Sequence, residues 1–470
     1  MIGHTTTLRL GCGLALAAWS AAAAAESVLR ASSSYLDAEI VGERRTEEWQ
    51  LTDQPTPLQA SIVVRPGEAR RICAISGPER LCETLRPGDR KPFTVLYNGK
   101  SYAMEFVALP PAAVYTPEHI AAFDGKNSFS VPKVYELANI AIALTPRGRD
   151  TTNWLVYRAH YFEELQAYFA PVRDHPFVQF LQAEMDRDQL NYFFHKMSSY
   201  AYDMGDDGQL RPSAVYTSTN FDGRASSLAG KEALIQSFAD DSKFSTFYDV
   251  HRPWYGELEK KFADRVDIAA MKEWLAGNFP DVKPYNHVNV VFSPLVNGSQ
   301  STTRMNENGF REAQLHMNFP YLGNASADLT EAGKKLQLGA LTFTELNHNY
   351  INPTADRYAA EIAAAFAAYP REKGSTTALY ADRMSYFNEL MNWGLIDLYA
   401  VDKASPDDFH KLQRNTADIM KGRGFTQFAE FAPFLTKLYR ERPAGTTLAD
   451  LYPRIIDWFA KHPPKPAEGK

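Results

Sequence analysis

The spacing of hydrophobic and polar positions changes several times along this chain, and each change predicts a different kind of element. Between about residues 36 and 112, short β-prone runs stand out: Ser61-Ile-Val-Val, Ile72-Cys-Ala-Ile, Phe93-Thr-Val-Leu-Tyr and Tyr102-Ala-Met-Glu-Phe-Val. Pro66-Gly67, Pro87-Gly88 and Asn98-Gly99 punctuate them, so the stretch reads as strands joined by turns. Asn98-Gly99 between two such runs is a hairpin signal. Pro110-Pro111 predicts a linker.

From about residue 116 the apolar positions take helical spacing, which predicts helices over 135–144, 157–170, 176–188, 231–238 and 268–275. His175-Pro176 reads as a helix start, with His175 a packing or capping residue. The pattern then switches. His287-Val-Asn-Val-Val-Phe-Ser and Ala313-Gln-Leu-His-Met-Asn-Phe alternate at period two and predict an antiparallel strand pair, with an extended loop from Asn297 to Gly309 between them. A helix over 330–351 follows, stopped by Asn352-Pro353, and further helices are expected over 358–368, 378–400, 409–421 and 426–439. The proline-rich end, residues 461–470, reads as a flexible tail. No repeat of solenoid period is visible.

The N-terminus carries a different signal. Arg9 precedes a nearly unbroken apolar, alanine-rich run from Leu10 to Ala24, and Ala23-Ala24-Ala25 before Glu26 fits cleavage by signal peptidase. The run is shorter than the ~20 residues a membrane span needs. Residues 1–25 are therefore expected to be a removed signal peptide, leaving an exported protein, periplasmic or secreted, with no membrane anchor. Cys12 leaves with it. Cys73 and Cys82 then form an even pair in an oxidising compartment, and a disulfide across a short loop is the simplest outcome. Ser76-Gly77-Pro78 supplies a turn between them.

Hydrophobic residues at 45% and aromatic residues at 13% describe a folded chain, and 470 residues exceed one ordinary domain. The net charge of −6, with no basic cluster, argues against nucleic acid or an anionic membrane surface as a partner. Composition leaves the oligomeric state undetermined. The expected class is α+β: a β-rich N-terminal domain at 26–112, then a mainly helical domain at 116–460 containing a short antiparallel sheet.

Candidate chemistry concentrates in Thr344-Glu345-Leu-Asn-His348, one residue away from the H-E-x-x-H signature of zinc peptidases. On a helix, positions 344 and 348 share a face, and Glu345 is offset by about 100°. In the intact signature, two imidazoles bind zinc and the glutamate activates water. A third ligand comes from elsewhere, and Glu389, an acid in the aromatic-rich run Phe387-Asn-Glu389-Leu-Met-Asn-Trp, is the candidate. No G-x-S-x-G elbow, P-loop or dinucleotide fingerprint occurs. A second E-x-x-H helix, as a di-iron bundle requires, is also missing.

These segments resemble a family of exported bacterial proteins carrying a zincin-like domain of unknown function, which show H-E-[FL]-x-H-x-[FY]-[VI]-N-P. Glu345-Leu-Asn-His348-Asn-Tyr350-Ile351-Asn352-Pro353 matches from the second position on. Val134-Tyr-Glu136-Leu137, Phe169 through His175-Pro176, Phe292-Ser-Pro294-Leu295-Val-Asn297-Gly298 and Glu389 correspond to further segments of that family, in order, over residues 130–400. The resemblance implies a zincin-like fold with His348 and Glu389 as zinc ligands and Glu345 as catalytic base. Tyr350 and Asn352 would support the site or close the helix, and His287 or His316 would face the cleft. It also implies a peptide or protein as substrate or ligand.

Thr344 departs from the pattern where the first zinc-binding histidine belongs. Catalytic zinc takes three protein ligands and a water, and a threonine hydroxyl is a poor replacement for imidazole. Three readings stay open: a rearranged metallopeptidase in which His316 fills the vacancy, a metal-free binding or interaction protein using the same cleft, or a helix pair matching by coincidence.

Overall fold

The computed structural model describes residues 27–51, 57–217, 226–298, 300–367, 380 and 383–462. The expected signal peptide, Cys12 and residues 463–470 of the expected tail lie outside these residues. The chain is about 50% helical and 21% strand, with the strands concentrated at the N-terminus, so the α+β expectation holds. No helix among the described residues is long and apolar enough to cross a membrane.

The N-terminal region holds two four-stranded sheets. One orders its strands Val28–Arg30, Arg90–Tyr97, Lys100–Leu109, Leu58–Val63; the other Glu43–Gln50, Tyr35–Ile40, Arg70–Ser76, Glu79–Leu85. Alternating residues of both, among them Leu36, Ile62, Ile72, Val95 and Phe106, meet in one core of their own. The Asn98-Gly99 turn forms as expected, with φ of 48° and 74°, the left-handed pair that such a hairpin requires. Cys73 and Cys82 face each other across Arg70–Ser76 and Glu79–Leu85, with their sulfurs at bonding distance, 2.14 Å.

The larger region is built on one mixed sheet ordered Ser301–Glu307, Phe310–Asn318, His287–Ser293, Asn127–Ser130. Here the structure corrects the strand expectation. His287–Ser293 pairs with Phe310–Asn318 in parallel, and the antiparallel partner of Phe310–Asn318 is Ser301–Glu307, within the expected loop. The Asn308-Gly309 turn, with φ of 54° and 79°, closes that hairpin by the same chemistry as Asn98-Gly99.

The faces of this sheet are unequal. One presents Val288, Val290, Phe292, Ala313, Leu315 and Met317 to the main core. The other lines up Glu312, Gln314 and His316 beside His287 and Asn289, with Ser301 and Thr303 opposite on the edge strand. That buried polar face is where much of the unusual chemistry lies.

The motif helix runs Glu331–Asp356, longer than expected, and passes through Pro353. A proline costs a helix one donor, but the surrounding turn is buried through Tyr350, Ile351, Thr354 and Ala355, and Thr354 Oγ1 donates to Tyr350 O. Packing overrides the local stop signal. At the other end, Thr330 caps the helix by accepting from Gly333 N at 3.1 Å, and Asp408 accepts from Thr330 N at the same distance. This ties the motif helix to the start of helix Pro406–Gly422. Helix Arg383–Lys403 returns against the motif helix, with Asn347 Nδ2 donating to Asn392 O at 3.0 Å. Gly394 lets that return helix sit close to helix Phe428–Arg440, since a Cβ there would lie 2.7 Å from Leu435 Cδ2. Helix Phe244–Arg265, which contains Pro253 and Gly256, and helix Tyr452–Lys461 were not anticipated from spacing.

Opening the Cys73–Cys82 bridge, which closes a loop of sequence separation 9, should cost the N-terminal sandwich about 2–3 kcal/mol by loop entropy. Urea unfolding of Cys73→Ala/Cys82→Ala, followed by far-ultraviolet circular dichroism, measures this; an unchanged midpoint would contradict it.

Candidate functional site

The helix pair brings His348 and Glu389 together. His348 Nε2 lies 3.9 Å from Glu389 Oε2, and the Glu389 side chain is only 5% exposed. Each is already engaged. Glu389 Oε1 accepts from Arg423 Nη2 at 2.6 Å and from Trp393 Nε1 at 2.9 Å. The Asn392 amide nitrogen is 2.7 Å from His348 Nε2, and Asn352 Oδ1 is 3.1 Å from His348 Nδ1. With Asn392 donating to Nε2, the Nδ1 proton goes to Asn352, so a neutral imidazole is fully satisfied.

Arg423 comes from the C-cap of helix Pro406–Gly422. Its guanidinium lies over the rings of Trp393 (5.0 Å), Phe425 (5.2 Å) and Tyr380 (5.5 Å) and donates to the Tyr380 hydroxyl. The aromatic cage and the carboxylate fix a permanent cation beside Glu389. The Thr344 hydroxyl is used within its own helix, donating to Leu341 O at 2.7 Å.

Glu345 keeps some solvent contact, yet its carboxyl is pushed up to about 8, first by desolvation and then by the charge of Glu389, with Lys196 and Arg423 opposing. Lys196, fully buried on helix Asn191–Ser198, is pulled down to about 7 by desolvation, against the pull of Glu345. Its ammonium rests over the Tyr192 ring (5.1 Å) and donates to Gly298 O. His316 completes the coupled set. Burial and then the charge of Lys196 lower it to about 3, and neither of its ring nitrogens has a hydrogen-bond partner among the described residues. It packs as a neutral ring between Tyr135 and Tyr200.

The expected ligands therefore converge only in part. His348, Glu389 and Glu345 belong to one neighbourhood. His316 is coupled to them through Lys196 but does not join His348 and Glu389 in a cluster whose ligand atoms lie within 4.8 Å; among the described residues the only such cluster is His119, His287 and Glu312. His287, expected to face the cleft, is directed instead to Glu312, with Nδ1 to Oε2 at 2.9 Å. Tyr350 is buried between Phe279 and Tyr285, a packing residue rather than a cleft residue. Asn352 does support His348. His175 caps its helix, Nδ1 accepting from Phe177 N, as expected.

Burial opposes ionisation of Glu312, but its close contacts with His287, Tyr216 and His119 hold its carboxyl down at about 2. Spacing did not reveal Lys196, Arg423, Asn392 or Trp393 as parts of the first site, nor His119, Glu312 and Tyr216 as parts of the second. Asn392 and Trp393, at i+3 and i+4 from Glu389, were open to helix geometry; the others reach their sites from separate elements. Against known proteins, the chain matches no family model, no curated relative and no solved structure.

The raised carboxyl of Glu345 sets a pH dependence. Its ordinary value is 4.5 and its folded value about 8, so between these limits the native state holds a proton that the unfolded chain has released. The stability associated with Glu345 is full below pH 4.5 and is lost as pH rises through about 8. Glu345→Gln should be more stable than wild type above pH 8, and the gap should close towards pH 4.5. Paired melting curves across that range test the sign; a gap that widens on acidification would refute it.

Proposed function

We propose that the helix pair carrying Glu345, His348 and Glu389 is a peptidase-like site that operates without zinc, in an exported protein that binds a peptide or protein segment and does not cleave it. The observation that carries this reading is the ion pair between Arg423 and Glu389, 2.6 Å, inside an aromatic cage. A zinc ion at this place would need the Glu389 carboxylate and the Nε2 lone pair of His348. Arg423 neutralises the charge of the first through Oε1, and the Asn392 amide takes the second. The guanidinium supplies the positive charge that a buried carboxylate demands. Thr344 offers nothing in compensation.

Glu345 fits the same reading. A general base must be ionised at working pH, and a carboxyl held near 8 is mostly protonated at neutrality. It can donate a hydrogen bond to a ligand carbonyl but is a weak acceptor of a water proton. The resemblance to zincin-like exported proteins supplies the scaffold and the export route of this reading. The local hydrogen bonds supply its departure from hydrolysis.

Two results separate this from a degenerate hydrolase. Wild-type protein incubated with a mixed peptide library should leave the peptides intact, and any cleavage that disappears in Glu345→Gln would overturn the reading. In addition, Thr344→His alone should create no zinc site, because Glu389 stays with Arg423. Thr344→His combined with Arg423→Ala should gain one zinc equivalent, measured by calorimetry in a His119→Ala background. Zinc gained by Thr344→His alone would show that Arg423 does not block the carboxylate.

A further inference from the structure

The hydrogen bonds around His287 run in one direction. Ser128 Oγ donates its single proton to Asn289 Oδ1 at 3.1 Å. It therefore accepts from His287 Nε2, 2.8 Å away, which must carry a proton. On the other side, Asn289 Nδ2 donates to the Tyr216 hydroxyl, and Tyr216 donates to Glu312 Oε1 at 2.8 Å. In a neutral His287 the remaining nitrogen, Nδ1, is a lone pair, and it points at the carboxylate oxygen Glu312 Oε2 from 2.9 Å. Two lone pairs at that distance repel, so the arrangement calls for a cation between them. His119 Nε2 reaches the same oxygen from the other side, at 3.4 Å.

We propose that His119, His287 and Glu312 bind a divalent transition-metal ion, zinc being the best match. This goes beyond the reading of the Glu345 helix pair and does not depend on it. The three ligand atoms lie within 4.8 Å of one another. In tetrahedral zinc, bonds of about 2.0–2.1 Å place ligand atoms roughly 3.3 Å apart; the two separations to Glu312 Oε2, 2.9 Å and 3.4 Å, bracket this, and the third lies within 4.8 Å. The groups behind the ligands also suit a metal. Ser128 fixes the tautomer of His287 so that Nδ1 is free to ligate, and Tyr216 orients the carboxylate through the oxygen that the metal does not need.

Two imidazoles and a carboxylate leave one position for water or an exogenous ligand, the composition of a catalytic rather than a structural zinc site. Tyr216 also lines an open pocket of about 300 Å³ bounded by Val114, Tyr202, Val215 and Glu232. The competing account is a proton: an imidazolium His287 paired with Glu312 satisfies the same geometry without metal.

Zinc titration of chelator-treated full-length protein decides between them. One equivalent should bind; His119→Ala and Glu312→Gln should each lower the affinity by more than about 100-fold, Tyr216→Phe by about tenfold, and His348→Ala not at all. Cobalt substitution should give the visible bands of a low-coordinate site, lost in His119→Ala. His119 lies on the short helix Pro117–Phe123, which contains no buried residue, so its variant is the least disruptive. Should Glu312→Gln fail to fold, zinc-edge X-ray absorption on the wild type still reads the ligands, with two imidazoles expected. No zinc binding, binding indifferent to His119→Ala, or an absorption spectrum lacking two imidazoles would each overturn the proposal in favour of the proton.

Discussion

A carboxylate buried between two helices needs a positive partner, and the way Glu389 meets that need organises the centre of this protein. Removing either member of such a pair costs about 3–5 kcal/mol, because the other is left charged and dry. Arg423 meets Glu389 at 2.6 Å from the end of helix Pro406–Gly422, and the start of that same helix is tied to the cap of the motif helix through Asp408 and Thr330. Three helices are thereby fixed in register around one charge pair. Trp393 adds a hydrogen bond to the carboxylate and a ring under the guanidinium. His348 then has to satisfy both nitrogens from neighbouring amides, which it does with Asn352 and Asn392.

The second organising feature is the two-sided sheet. Its apolar face is ordinary core, but the opposite face buries Glu312, Gln314, His316 and His287. Buried polar groups are costly unless partnered. The Glu312 end is closed by His119, His287 and Tyr216 in a directional network. At the His316 end, neither imidazole nitrogen has a partner among the described residues, beside an ammonium pulled towards neutrality. Among the described residues, Glu389 thus has its charge neutralised from within by Arg423, while Glu312 is met by His119, His287 and Tyr216.

Local chemistry explains which elements were legible. Asn98-Gly99 marked its hairpin because both residues accept left-handed φ, and the Cys73–Cys82 pair could be read from parity and a nearby turn. The Asn308-Gly309 turn carried the same signal but sat in a polar stretch read as loop, which is why strand Ser301–Glu307 and the parallel pairing were missed. Pro353 marked a stop that burial of the adjacent turn overrode, and Pro253 with Gly256 masked the helix Phe244–Arg265. Convergence of Glu345, His348 and Glu389 was legible because a three-residue spacing and an antiparallel return are properties of the helix itself.

By itself, the sequence determined the class of the fold, the β-rich start, the helix that carries the motif and the residue types at its heart. It did so because turn chemistry and helical period are local properties of the chain. The tertiary structure alone decided which cation faces Glu389, that Asn392 covers His348, and that His287 belongs with His119 and Glu312. These partners are separated by tens to well over a hundred residues, or lie on a helix whose facing side only packing reveals. Electrostatic pairing acts through space, and no spacing along the chain encodes it.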